Sequence, residues 1–219
     1  MGIVLYLCAQ EDSVMSKKTI YLISFFAVLV AVFYVFIFAG TDYGKENLPV
    51  LGNPGHTVGP FSFVDQQGDS ITQANLNGKV TVVNYFFTRC TGICPKMNKN
   101  MDMIYETFKD TSDFQILSNT VDPGNDSVPV LAKYAEQWGA NPRVWKFLTG
   151  PRKELFEVAV RQYLLSVADS QGVNDQFVHT QFFALVDQHR RIRGFYDGLQ
   201  QDDLSKLKKD IVNLLTEED

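Results

Sequence analysis

The chain lacks an excess of basic residues and is poor in cysteine. It has 20 Lys and Arg against 25 Asp and Glu, which gives a formal net charge of −5 at pH 7. Nucleic-acid-binding proteins generally carry a basic patch, so this balance argues against a nucleic-acid partner. Three cysteines in 219 residues are too few for a disulfide-built scaffold. We find no internal repeat and no low-complexity tract, and the length suffices for one ordinary domain plus an anchor.

Charged side chains are also absent from residues 19–41, where residues 20–40 read IYLISFFAVLVAVFYVFIFAG. A helix of this length spans about 30 Å, the thickness of the bilayer hydrocarbon. Lys17 and Lys18 precede it, and basic residues stay on the cytoplasmic side of membrane helices. We therefore expect a cytoplasmic N-terminus at 1–18, one transmembrane helix at 19–41 and a C-terminal domain outside the cytoplasm. A cleaved signal peptide is the rival interpretation, but its apolar region normally has about 7–15 residues.

The first residues of the chain do not resemble a functional leader. Residues 1–14 carry no basic residue, whereas Met15-Ser16-Lys17-Lys18 has the form of a conventional start, so we hypothesise that translation begins at Met15. Cys8 lies in this stretch, and the weak lipid-attachment pattern around it leaves it without an expected role. An Arg- and Ser-rich leader, the sign of import into an organelle, is not seen. We therefore expect the protein in the inner membrane of a bacterial cell, with its C-terminal domain on the periplasmic side.

The remainder divides into a Gly- and Pro-rich linker at 42–60 and a domain at 61–219. Short apolar runs predict strands at 61–65, 80–87, 114–120 and 144–149. Apolar residues at helical spacing predict helices over about 95–109, 131–138, 156–163 and 204–214. Residues 178–186 and 191–196 are expected to form a hairpin. This alternation predicts a mixed α/β sheet with helices on both faces, in the order of a thioredoxin-like fold.

The segment Cys90-Thr91-Gly92-Ile93-Cys94-Pro95 leaves the central strand and enters a helix. Ligands of open α/β sheets gather at the carboxyl ends of strands, and Pro95 suits a first helical turn. The positive end of the helix dipole favours a thiolate at Cys94. Arg89 either adds to this effect or is simply solvated. Two thiolates are soft ligands, which suits Cu(I).

A histidine stands where most thioredoxin-like oxidoreductases have a proline opposite the cysteines, in Phe177-Val178-His179-Thr180. Those enzymes also have two residues between their cysteines, whereas three intervene here. The imidazole of His179 would complete a three-coordinate site with Cys90 and Cys94, leaving a position open for metal transfer. Zinc competes with copper, but structural zinc sites normally have four protein ligands. The remaining histidines are weaker candidates, in the linker and the hairpin turn: His56 and His189.

Several nearby residues allow two interpretations. Met97, Met101 and Met103 are potential thioether ligands, but Met97 and Met101 lie on an apolar helical stripe, which favours core packing. Asp122 belongs either to the outer shell of the metal site or to an Asx-Pro turn. Asp126 or Ser127 is expected to cap the following helix.

These motifs together resemble the Sco/SenC copper proteins over about residues 56–215. The matching blocks are residues 61–65, 75–79, 84–87, 90–97, 121–123, 148–150, 179–180, 185–187 and 193–198. The resemblance implies a thioredoxin-like fold and copper bound at Cys90, Cys94 and His179. It also implies a role in assembling the binuclear copper centre of cytochrome c oxidase, with the copper-bearing oxidase subunit as partner and an unidentified copper donor.

Some members of that family act as thiol–disulfide reductases. The alternative function is therefore an oxidoreductase that keeps copper-site cysteines reduced, with Cys90 and Cys94 as its redox-active pair. No separate set of residues supports a peroxidase or a purely structural role.

Overall fold

The computed structural model describes residues 16–39, 48–165, 173–174, 177–178 and 181–217. The predictions for residues 1–14, with Cys8, and for His179 lie outside these described residues. The chain divides into two compact units, Met1–Lys45 and Glu46–Asp219, and we describe each by itself.

The described residues of the first unit, 16–39, form the helix α1 (Lys17–Ala39). Its length and composition over Lys17–Tyr34 allow it to cross a membrane. Large apolar side chains are exposed around this part of the helix, as at Leu22, Phe26 and Val30. An apolar surface on every side suits lipid better than water.

The second unit is built on a five-stranded mixed sheet in the order β5-β4-β3-β8-β9. The strands are β3 (Val80–Phe86), β4 (Phe114–Thr120), β5 (Trp145–Leu148), β8 (Phe182–Val186) and β9 (Ile192–Asp197). The first three are parallel, while β8 is antiparallel to both β3 and β9. All residues of β3 and β4 are buried; in β3 this explains a sequence rich in β-branched and aromatic residues, while β4 also buries the polar side chains of Gln115, Ser118 and Asn119. Smaller pairs are β1 (Ser62–Val64) with β2 (Ser70–Thr72), and β6 (Val173–Asn174) with β7 (Phe177–Val178).

Helices cover both faces of this sheet, as predicted. One face packs against α2 (Cys94–Phe108), α3 (Val128–Gln137) and α5 (Gln201–Leu215), through a core that includes Met101, Leu131 and Leu207. The other packs against α4 (Arg152–Glu157), the π-helical turn Val158–Gln162 and the β1–β2 pair. This order and these two layers confirm the thioredoxin-like fold.

Some boundaries differ from the sequence predictions. The hairpin strand begins at Phe182 and not at residue 178, because Phe177–Val178 pairs with Val173–Asn174 instead. The helix predicted over 156–163 is the short α4 followed by the π-helical turn. The strand β2 and the 3-10 turn Gln73–Leu76 were missed, because a three-residue strand leaves too short a pattern to recognise.

Residues 48–60 contain neither helix nor strand, yet they pack on the second unit. Leu48 and Val58 are buried, and Leu51 forms a β-bridge with Ile192. Arg193 donates a 2.7 Å hydrogen bond to the carbonyl oxygen of Leu48. The packed part of the domain therefore includes residues that precede Phe61.

Candidate dithiol metal site

The two cysteines lie in the loop that joins β3 to α2. Since β3 ends at Phe86 and α2 begins at Cys94, the loop opens from the carboxyl end of the central strand. Cys90 is partly exposed, Cys94 is 6% exposed, and both are free thiols. The two side chains are hydrogen bonded to each other. They line one cavity of about 300 Å³, with further walls from Phe86, Arg89, Ile93, Met97 and Val121.

Burial dominates the protonation of the second cysteine. Burial first, and then the hydrogen bond with Cys90 and the charge of Cys90, raise the pKa of the Cys94 thiol to about 12. Backbone hydrogen bonds at Phe87 and Cys94 act in the opposite direction but do not compensate. The expectation that the helix N-terminus makes Cys94 a thiolate is therefore wrong for the metal-free protein. A metal must displace the proton to bind there.

The approach to Cys90 is fixed by a buried carboxylate. Asp126 is fully buried and accepts hydrogen bonds from the backbone nitrogen of Thr88, at 3.2 Å, and from its hydroxyl, at 2.5 Å. The hydroxyl of Thr120, at the end of β4, donates to the same carboxylate. Asp126 or Ser127 was predicted as the helix cap, and Ser127 is the N-cap of α3, without a side-chain capping bond. The side chain of Asp126 ties the cysteine loop to the neighbouring strand.

A second contact lies one helical turn beyond Cys94. The side-chain nitrogen of Asn98 donates a 2.5 Å hydrogen bond to the hydroxyl oxygen of Tyr134 on α3. The Tyr134 ring stacks on Phe86, with 5.3 Å between ring centroids. Burial raises the pKa of Tyr134, and charge on Cys94 and Cys90 raises it further, so its hydroxyl lies within electrostatic reach of both thiols.

Arg89 pairs with Asp122 across the mouth of the cavity, at 2.9 Å. Burial alone would raise the pKa of Asp122, but hydrogen bonds from Asn125 and Arg89 lower it. Arg89 is 65% exposed, and it is not among the groups that shift the pKa of Cys94. The pairing argues against a direct action of Arg89 on that thiol, and it places Asp122 at the edge of the site as well as in a turn.

The remaining candidates from the sequence have other partners. The ring nitrogen Nε2 of His56 lies 2.9 Å from the carbonyl oxygen of Gln162, and His189 is in the hairpin turn, where its backbone nitrogen donates to Asp187. Met101 is fully buried in the core, which favours the packing interpretation. Met97 is also buried but lines the cavity.

The described residues were tested for a fit to a metal ion. They contain no group of three or more His, Cys, Asp or Glu side chains able to hold one. Within this part of the chain, Cys90 and Cys94 supply two soft sulfur donors that meet at one cavity, which fits Cu(I) in chemistry and in number if one further ligand is added. His179, the predicted third ligand, lies outside the described residues.

The fold and the paired thiols define a thioredoxin-like domain with a dithiol at the carboxyl end of its central strand. Comparison with known proteins refines this class. A family model described as SCO1/SenC matches residues 51–216. The chain belongs to the SCO1/SenC family.

Relatives of this family are recognisable in sequence and in structure. A SCO1 protein homolog of Bacillus subtilis is 30% identical over 163 residues, which cover 74% of this chain and 84% of that protein. The structure of BsSco has a TM-score of 0.65 at 27% identity, covering 80% of this chain and 99% of the other; it is described as having a disulfide switch and as belonging to the Sco family of cytochrome c oxidase assembly proteins. The structure of yeast Sco1 with copper bound has a TM-score of 0.55 at 25% identity, covering 74% and 95%.

Proposed function

We propose that this chain is a membrane-anchored copper-binding protein that assists assembly of the binuclear copper centre of cytochrome c oxidase. It holds one copper ion through Cys90, Cys94 and His179 and passes it to the copper-bearing oxidase subunit. The observation that carries the proposal is the convergence of two free thiols on one cavity at the end of the central strand. Membership of the SCO1/SenC family supports the same function.

Copper as the metal is supported by relatives and by ligand chemistry. Yeast Sco1 and the Arabidopsis thaliana ScoI protein, both 25% identical to this chain, have been solved with copper bound. Thiolate sulfur is a soft donor that stabilises Cu(I). A site with three protein ligands also keeps one position through which the ion can be transferred.

The metal assignment can be tested on the full chain in detergent, reduced and titrated with Cu(I) against a competing chelator. We expect about one copper per chain, and a loss of affinity in Cys90→Ser, Cys94→Ser and His179→Ala. His189→Ala is the matched control and should bind as tightly as wild type. If His179→Ala equals the His189→Ala control, His179 is not a ligand.

The second candidate function is thiol–disulfide exchange by Cys90 and Cys94. It is favoured by the hydrogen bond between the two thiols and by the disulfide switch described for BsSco. The high pKa of Cys94 argues against rapid attack by that thiol, since the thiolate is the nucleophile. Rapid reduction of an oxidised copper-site peptide by the metal-free chain, unchanged in His179→Ala, would favour the reductase over the copper carrier.

We further propose that α1 anchors the chain in the bacterial inner membrane, with the second unit on the periplasmic side. Lys17 and Lys18 at the start of α1 support this orientation. Protease treatment of spheroplasts should digest the second unit, whereas intact cells should protect it. Digestion only after the inner membrane is broken would reverse the orientation.

A further inference from the structure

Asp126 is a fully buried carboxylate whose side-chain hydrogen bonds, within the described part of the chain, go to threonines and not to Cys90 or Cys94. It lies between β4 and α3, where its backbone nitrogen donates a 2.9 Å hydrogen bond to the carbonyl oxygen of Asp122. Its side-chain oxygens accept three hydrogen bonds, two from Thr88 and one from the hydroxyl of Thr120. It makes no side-chain cap for α3. The whole hydrogen-bonding capacity of the buried group is therefore directed toward the loop before Cys90 and the end of β4.

The loop that carries Cys90 has little other support. Residues 91–93 are exposed, and a Cβ atom added at Gly92 would meet no atom within 4 Å. The backbone nitrogen of Cys90 donates to the carbonyl oxygen of Phe87 at 3.2 Å, which is a contact within the loop itself. Thr88 attaches this loop to a buried group, Asp126, whereas the neighbouring attachment, the pair of Arg89 with Asp122, involves an arginine that is 65% exposed.

The two sulfurs are thus held by different means. Cys94 belongs to α2, whose next turn is hydrogen bonded to α3 through Asn98 and Tyr134. Cys90 lies outside the helix, two residues beyond Thr88. Without the carboxylate under Thr88, the position of Cys90 relative to Cys94 would depend on the loop and on the exposed pair of Arg89 with Asp122.

We propose that Asp126 is a positioning residue, which fixes Cys90 through Thr88 so that its sulfur meets that of Cys94 in a geometry ready to bind one copper ion. The metal in this statement rests on the proposed function, whereas the placement of the dithiol does not. Preorganisation of this kind strengthens binding because the loop loses little freedom when the metal binds. Loss of outer-shell partners typically weakens metal binding by about 10- to 100-fold.

The test compares four variants of the full chain in detergent. Asp126→Asn keeps the shape but offers one oxygen where two accept now. Thr88→Val removes the hydroxyl, and Thr88→Ser restores it. Asp210→Asn is the matched control, because Asp210 is another fully buried carboxylate, which accepts hydrogen bonds from Tyr196 on β9 and from Lys206 on α5. Cu(I) affinity is measured by chelator competition, and the Cys90–Cys94 dithiol–disulfide equilibrium is measured against glutathione without metal.

We expect Asp126→Asn and Thr88→Val to weaken Cu(I) binding about tenfold, at the lower end of outer-shell effects, while Thr88→Ser and Asp210→Asn stay near wild type. The disulfide should shift toward the dithiol in the same two variants, because a looser loop brings the sulfurs together less often.

If Asp126→Asn fails to fold, the two measurements on Thr88→Val decide whether the proposal stands. Folded Asp126→Asn and Thr88→Val that match wild type in both measurements, or an equal loss in Asp210→Asn, would overturn the proposal. A wild-type chain that binds no copper refutes the proposed function, and the glutathione equilibrium then tests the positioning alone.

Discussion

The side-chain amide of Asn98 and the hydroxyl of Tyr134 are joined by a 2.5 Å hydrogen bond. Asn98 lies one turn after Cys94 on α2, and the Tyr134 ring stacks on Phe86, a wall of the cavity. One tyrosine on α3 therefore contacts both the helix that holds the second cysteine and the strand that leads to the first.

This hydrogen bond should contribute measurably to stability. In Tyr134→Phe the buried Asn98 amide loses its acceptor, and a buried donor left without a partner costs about 1–3 kcal/mol. The control is Tyr163→Phe, since the hydroxyl of Tyr163 is buried without a hydrogen-bond partner among the described residues. Urea unfolding followed by tryptophan fluorescence should show a loss of stability in the first variant and little or no loss in the second. Equal effects would mean that the Asn98 contact is energetically unimportant.

The sheet and its helices could be predicted from sequence because their patterns are local. The strand β3 is buried along its whole length, so it leaves a run of β-branched and aromatic residues that marks it. The helix α2 presents Met97, Met101 and Ile104 to the core at helical spacing. Cys90 and Cys94 lie close together in the chain, and their meeting at one cavity follows from that spacing and the start of α2.

The supporting contacts could not be predicted, because their partners are distant in the chain. Thr88 and Asp126 are separated by 38 residues, and Asn98 and Tyr134 by 36. Local rules indicated Asp126 or Ser127 as the cap of α3, and Ser127 is the N-cap. Such rules could not reveal the contact of Asp126 with Thr88. The pKa of Cys94 was misjudged for a similar reason, since spacing reveals the helix end but not the depth of burial.

Among the basic residues of the second unit, Arg193 is the one whose substitution should lower the stability of the fold most. It is 3% exposed and pairs with the fully buried Asp187 at 2.9 Å, with Glu217 at 3.0 Å and with the carbonyl oxygen of Leu48. Arg193→Met breaks a buried ion pair, which should cost about 3 kcal/mol. Arg191→Met is the control, because Arg191 pairs with the same carboxylate at 2.6 Å but is 36% exposed, where an ion pair contributes about 1 kcal/mol or less. Urea unfolding measures both, and a smaller loss for Arg193→Met than for Arg191→Met would contradict this ranking.

The ion pair of Arg89 with Asp122 should contribute little to stability, although it lies beside the two cysteines. Arg89 is largely exposed, so Arg89→Gln should change stability by about 0.5 kcal/mol or less. Asp122→Ala should cost more, because Asp122 also accepts hydrogen bonds from the side chain of Asn125 at 2.9 and 3.0 Å. Alkylation of Cys94 by iodoacetamide, followed by mass spectrometry, should proceed at the same rate in Arg89→Gln and wild type. Clearly slower alkylation in that variant would show that Arg89 does stabilise the thiolate.

The pKa of Cys94 makes copper binding depend on pH. With a pKa of about 12, the thiol keeps its proton throughout the neutral range, whereas the bound ligand is the thiolate. Binding must therefore release this proton, and a higher pH favours release. Cys94 alone should make the Cu(I) dissociation constant fall about tenfold for each unit of rising pH.

Affinities should be compared between about pH 7 and pH 8, above the ordinary pKa of histidine, so that His179 contributes little to the slope. Calorimetry in buffers of different ionisation enthalpy counts the protons released on binding, and Cys94→Ser provides the control in which this proton is absent. Wild type should release more protons than the variant, because the variant has no thiol to deprotonate at that position. Binding that neither strengthens with pH nor releases a proton would mean that the metal does not replace the proton on Cys94, and the buried sulfur would then not be a copper ligand.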